Sequence, residues 1–210
     1  MKRIKLIPVL IVLGWMIGCE SEAPVAPEAP GELGSIATKA DKAATSSTAD
    51  VIAFADFSAV GTSKLVRNNN GVSFTLTTSE LEPGHAYTLW MVIFNNPEDC
   101  RNGCDGEDFA PFNTDAGIDV LYSAGTLAGG TGKATFAGHR MEGDNSGSNF
   151  GEGSLGLVDS RKAEIHFVVR THGPKIPGLI GEQIGTFNGG CDPGQSNEGL
   201  CQDIQFAVHK

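Results

Sequence analysis

Residues 86–94 read as a strand that is apolar on both faces. Successive side chains of a strand leave opposite sides of the sheet. Here Ala86, Trp90, Val92 and Phe94 fall on one side and Tyr87, Leu89, Met91 and Ile93 on the other, with Thr88 the one polar member. Such a strand must be covered twice, by a second layer of structure on one face and by structure or loops on the other. It is entered through Leu81-Glu82-Pro83-Gly84. Pro83 presets φ for the first central position of a β-turn, and Gly84 tolerates the positive φ that a type II turn needs next.

The other segments fit around this strand. Residues 72–78 alternate cleanly, with Val72, Phe74 and Leu76 inward, and are expected to pair with 81–94 as a hairpin-like unit. Residues 51–58 are mixed: Ile52 and Phe54 lie on one side, Val51, Ala53, Ala55 and Phe57 on the other. Segments 118–127 and 133–140 flank the turn Ala128-Gly129-Gly130-Thr131-Gly132. Residues 162–170 place Ala163, Ile165, Phe167 and Val169 inward, leaving Glu164, His166 and Arg170 on the polar face. Residues 203–209 read with Ile204, Phe206 and Val208 inward and Asp203, Gln205 and His209 outward. One helix is expected over 179–187, where Ile180, Ile184 and Phe187 recur at helical spacing, although Gly181 and Gly185 weaken it. The fold class that follows is all-β, a single antiparallel β-sandwich of about seven or eight strands with long loops. It occupies residues 50–210, a length that buries roughly 70% of the unfolded chain's surface.

The chain opens with Lys2, Arg3 and Lys5 and a mostly apolar run over 6–18, the layout of a signal peptide and too short to span a bilayer. The run ends Met16-Ile17-Gly18-Cys19, which resembles the lipobox of bacterial lipoproteins. Gly18 and Cys19 match that pattern; Met16 and Ile17 depart from its usual Leu and small residue. The resemblance implies that residues 1–18 are removed and that Cys19 is lipidated. Glu20 following the cysteine favours the outer membrane by the same likeness. An ordinary secretory signal with a stray cysteine, or an uncleaved anchor, is the alternative. Residues 19–49 lack aromatics and are built mainly from Ala, Pro, Glu, Ser and Thr. They are expected to form a disordered tether.

The full chain carries 15 basic against 25 acidic side chains. Removal of Lys2, Arg3 and Lys5 would leave 12 against 25, a formal charge of −13. That excludes nucleic acid and anionic head groups as partners, because phosphate contacts need Lys and Arg. With Cys19 assigned to lipid, Cys100, Cys104, Cys191 and Cys201 remain. An even number in an exported chain reads as two disulfides, with the local pairs Cys100–Cys104 and Cys191–Cys201 favoured over cross-pairing.

Leu81-x-Pro83-Gly84-x-x-Tyr87 resembles the corner before a core strand of fibronectin type III domains, where the Tyr hydrogen-bonds across the corner. The same turn is similar to the one before the copper-ligand strand of Cu/Zn superoxide dismutases. That enzyme's His-x-His positions hold Thr88, Leu89 and Trp90 here, which removes its copper chemistry. Over 80–210, Tyr-Thr-Leu-Trp…Phe-Asn-Asn-Pro and Glu-Ile-His-Phe-Val-Val-Arg-Thr-His-Gly-Pro are similar to secreted bacterial proteins of uncharacterised function.

Metal ligation is the one chemistry the sequence keeps open. His139, His166 and His172, with His209, could supply imidazoles to Cu or Zn if adjacent strands bring them together. Residues 98–108 hold five carboxylates, and Asp105, Glu107 and Asp108 offer hard oxygen ligands for Ca²⁺. The bland reading is solvated histidines and a solvated acidic loop. No Ser-His-Asp set or catalytic carboxylate pair can be assigned. Gly129-Gly130-Thr131-Gly132-Lys133-Ala134 lacks the first Gly and the closing Ser/Thr of a P-loop. The expectation is therefore a non-catalytic binding or envelope-structural module without a required cofactor, held at the membrane through its N-terminal lipid, with a protein or glycan ligand. A metal-binding protein or metal-dependent oxidoreductase is the alternative. Carbohydrate stacking on Trp90 or Tyr87 would require those rings to be open.

Overall fold

The computed structural model describes residues 43–109, 112–151 and 153–210. Eight strands follow one another as β1 (Thr45–Ala53), β2 (Ala59–Asn68), β3 (Gly71–Thr78), β4 (His85–Phe94), β5 (Ile118–Leu127), β6 (Ala134–Met141), β7 (Glu164–Pro174) and β8 (Gln202–His209). All pair antiparallel in one sheet, ordered β5-β4-β7-β8-β1-β2-β3-β6. The all-β antiparallel fold is as expected. Its two facing layers are halves of one curled sheet, and Phe74 of β3 meets Phe167 of β7 across the core at 4.8 Å between ring centroids.

The curl brings edge strands β5 and β6 together without a ladder between them. The seam is closed by side chains and by the segment after β6. Arg140 of β6 donates from Nη2 to the carbonyl of Tyr122 on β5 (2.7 Å) and from Nη1 to Asp144 (2.7 Å). Residues 147–149 lie along β5, where the Tyr122 amide donates to Gly147 O (2.9 Å) and the Asn149 amide to Val120 O (2.9 Å). Backbone groups at a sheet edge need partners, and this short segment supplies them.

β4 is buried along nearly its whole length, as its sequence requires. Tyr87, Leu89, Met91 and Ile93 enter the enclosed core with Val72, Phe74, Leu76, Ile165, Phe167 and Val169. Trp90, Val92 and Phe94 form a second cluster on the outer face with Cys104, Ala116, Ile118 and Val120. Three loop segments cover that face: 95–117, 143–158, and 175–201, which carries the short α1 (Ile180–Gln183). The corner before β4 is tied as the fibronectin likeness implies, with the Glu82 amide donating to Tyr87 Oη at 2.9 Å.

Several expectations are corrected. β3 and β4 do not form a hairpin: β3 pairs with β2 and β6, and β4 with β5 and β7. Between them the chain crosses the end of the curled sheet. Glu80 takes a positive φ of 62° there, and the Leu81 amide donates to Gly132 O (3.0 Å). Buried Leu81 belongs to the core cluster beneath this crossing. The folded domain starts earlier than residue 50, because β1 begins at Thr45 and is laddered to β2 from its first residue. Backbone pairing holds Thr45–Ala49 with mostly exposed side chains, a pattern that hydropathy cannot register. The whole of β2 also went unrecognised.

From Gln205 onward the inward and outward faces of β8 are exchanged relative to expectation, while Ile204 packs against the core and Asp203 is exposed as expected. Gln205, Ala207 and His209 are buried, while Phe206 and Val208 turn outward. The polar pair is tolerated inside because it is hydrogen-bonded. Thr78 donates to Gln205 Oε1 (2.7 Å), and the His209 ring lies 2.9 Å from Ser47 Oγ and 2.9 Å from Ser63 Oγ. The predicted helix over 179–187 shrinks to one turn, consistent with its two glycines.

Candidate functional site

The reversed face of β8 helps to make a groove on the outside of the sheet. Its floor is Trp90, Val92 and Phe94 of β4, His166 and Val168 of β7, and Phe206 and Val208 of β8. Its walls come from the loops and include Gly103–Gly106, Phe109, Phe150, Phe187 and Phe54. The cavity measures about 700 Å³, within the range of small-molecule sites.

Each wall is fixed by something other than a ligand. Cys100–Cys104 and Cys191–Cys201 are bonded (S–S 2.05 and 2.08 Å), which is the local pairing expected. Asp108 is buried and holds the first disulfide loop, accepting from the Arg101 amide (3.0 Å), the Asp105 amide (3.3 Å) and Asn113 Nδ2 (2.7 Å). The Asn113 and Arg101 donors hold its carboxyl below the usual range. Asp119, also buried, gathers the 143–158 loop: Ser148 Oγ and Gly156 N donate to it at 3.0 and 2.7 Å, and Ser154 Oγ donates as well. Phe187 is held through its carbonyl, which accepts from Arg170 Nε (2.9 Å), while the Arg170 guanidinium lies 4.1 Å from its ring. The same loop presses onto β5 so closely that a Cβ at Gly125 would meet the Ile184 carbonyl oxygen at 1.8 Å.

Beneath Phe187 runs a buried relay. Trp90 Nε1 donates to Thr88 Oγ1 (2.8 Å), and Thr88 Oγ1 lies 2.8 Å from His172 Nε2. His172 Nδ1 lies 3.1 Å from Gly189 O and 3.2 Å from Cys201 Sγ. The Gly189 carbonyl can only accept, so the ring proton sits on Nδ1, and Nε2 accepts from the Thr88 hydroxyl, which itself accepts from Trp90. Burial pushes the pKa of His172 down to about 4, so the ring is neutral. Trp90 stands edge-on to Tyr122 and Phe187 at 5.8 and 5.0 Å. Trp90 (4% exposed) and Tyr87 (1%) offer no open ring for stacking on a sugar.

One polar pair lies in the apolar floor. His166 Nε2 is 2.8 Å from Glu164 Oε1. Burial pushes the His166 pKa down, and the Glu164 contact partly opposes that. His166 faces the groove across Phe94, 5.0 Å away between ring centroids.

The sequence candidates for metal ligation have other partners. Asp105 caps a 3-10 turn by accepting from the Glu107 amide (2.8 Å), Asp108 is saturated as described, and Glu107 is exposed. His139 lies on the outer side of β6 beside Ser73 Oγ (3.0 Å), and His209 is in the core. His139, His166 and His172 therefore occupy three separate hydrogen-bonded settings. Among the described residues the close-set trio of metal-type ligands is His172, Cys191 and Cys201, whose two sulfurs are joined to each other. Cys19 lies outside the described residues.

Sequence reasoning missed Phe187, Phe206, Val208 and Asp119 as parts of the site. Asp119 did carry a signal, a lone carboxylate between Ile118 and Val120 in an apolar strand. No protein-family model matches the chain, and no curated protein matches its sequence.

Proposed function

We propose that this chain is a non-catalytic binding module, exported and tethered to the bacterial envelope through Cys19, that takes up an apolar small molecule in the outer-face groove. The observation that carries the reading is the groove itself. A strand that is apolar on both faces has one face sealed in the core, and the loops over its other face, fixed by two disulfides and two buried carboxylates, leave a groove above it. Isolated exposed apolar side chains are ordinary, but a contiguous set around a concavity marks a binding surface. Phe54, Phe109 and Phe150 rim this one at 37–44% exposure.

The test is binding of the neutral dye N-phenyl-1-naphthylamine, whose emission rises in apolar surroundings. The full chain should give a saturable rise. Val168→Trp, which fills the floor, should abolish the saturable part. Because both proteins carry the same N-terminal segment, the difference between them isolates the groove. Equal binding by the two would end the reading.

A further inference from the structure

We propose that the groove selects a neutral aromatic molecule carrying one hydrogen-bond donor, a phenol-class hydroxyl, which it holds at His166 Nδ1. This rests on the binding reading above and assigns its ligand class.

The argument starts from the tautomer. A carboxylate can only accept, so the 2.8 Å contact to Glu164 places the imidazole proton on Nε2. Nδ1 is then a bare acceptor. Among the described residues it has no hydrogen-bond partner, and the side chain forms part of the groove wall. Burial favours the neutral ring, which keeps Nδ1 unprotonated at neutral pH. An acceptor in an apolar wall discriminates by chemistry: a ligand that donates to it is accepted, and one that buries it unpaired loses affinity.

Charge and shape narrow the class further. Glu164, Asp105 and Asp203 line the same groove against Lys210, so carboxylates and phosphates are repelled and acyl-chain acids are disfavoured. Asp203 is already paired with Arg170 (2.7 Å). The accessible surfaces of the groove are rings, with Phe206 partly open and Phe54, Phe109 and Phe150 at the rim, above the covered Phe94 and Trp90. Rings pack edge-on or offset against a flat aromatic guest.

Trp90 reports occupancy directly. Trp15→Phe leaves it the sole tryptophan of the full chain. Trp90 emission would be titrated with 4-tert-butylphenol and with 4-tert-butylanisole, which keeps the shape and lacks the donor. The phenol should bind about fivefold to tenfold more tightly, the value of one hydrogen bond. In His166→Phe, which preserves a ring against Phe94, the two should bind equally. In Glu164→Gln the amide can donate to Nε2 and move the ring proton to Nδ1, so the preference should be lost, because the phenol and anisole oxygens can both accept from Nδ1–H. Circular dichroism of each variant would check the fold. Equal affinities in the parent protein while the naphthylamine dye still binds would overturn the donor assignment and leave the apolar site standing. A preference for 4-tert-butylbenzylammonium over the phenol would also overturn it. Failure of all these probes, the dye included, would remove the site itself.

Discussion

Two histidines sit neutral inside the protein, and each makes stability depend on pH in a defined direction. His209 is 2% exposed between Ser47 and Ser63, and His172 is fully buried between Thr88 and Gly189. Burial is the main cause in both cases, reinforced by Arg67 near His209 and by Arg170 near His172, and it lowers each pKa from 6.5 to about 4. The unfolded chain therefore takes up these protons near pH 6.5 and the folded chain only near pH 4. Above pH 6.5 both states are neutral and the contribution is complete. Between the two values the unfolded state binds more protons, so stability falls as pH falls, by about 2 to 3 kcal/mol per histidine over the window. Urea denaturation at pH 7 and pH 4.5 should show this as a lower midpoint with an unchanged slope. A midpoint that stays level would mean that the folded sites accept the proton. The carboxylates with lowered pKa values, such as Asp108 and Asp144, act in the same direction but at lower pH.

At the scale of elements, the two disulfides should differ in what they contribute. Cys191–Cys201 closes a separation of 10 residues and Cys100–Cys104 one of 4. On the chain-entropy model they stabilise by about 3 and 2 kcal/mol. Double replacement by Ala should lower the urea midpoint more for the 191/201 pair. Both replacements should weaken dye binding, because Gly103 and Cys104 line the groove and the 175–201 segment, which the second bond ties down, carries Phe187; unchanged binding after the 191/201 replacement would argue against this role for the segment. The pairing itself was legible in the sequence, since the four cysteines fall into two pairs close in the chain. So were β3 and β7, whose apolar alternation agrees with their burial, and β4, which is apolar and buried on both faces. β2 was not, because Gly61, Thr62, Ser63, Lys64 and Arg67 blur its alternation. Ser63 and Arg67 are buried by hydrogen bonding: Ser63 contacts His209, and Arg67 donates to the carbonyls of Ser160, Ala163 and His209. β8 misled for the same reason. Hydropathy places Phe206 and Val208 inside, but the core accepts Gln205 and His209 because their polar atoms are satisfied there. The groove was therefore hidden in the sequence although Glu164 and His166 were read on the correct face.

At the scale of the whole molecule, the proposed envelope tether makes a claim about what would hold the chain to a membrane. Among the described residues no helix is long and apolar enough to cross a membrane. The chain is acidic, with 25 carboxylate side chains against 15 basic ones, so electrostatic attraction to anionic head groups adds nothing to an anchor. Lipid at Cys19 would then act without help from the domain. Replacing Cys19 by Ser should move the protein from the membrane fraction to the soluble extract, with folding intact because the sheet begins at Thr45. Dye binding by the released protein would match the parent's, since the groove draws on residues from Phe54 onward. Retention in the membrane fraction with the N-terminal segment still attached would replace the lipid anchor by the apolar run at residues 6–18. Retention after its removal would instead point to the exposed rim of Phe54, Phe109 and Phe150 as a membrane contact. A groove open toward lipid would draw its ligand from the bilayer, and one held off on a tether would draw it from solution. The fraction in which the Cys19→Ser protein is recovered decides between them.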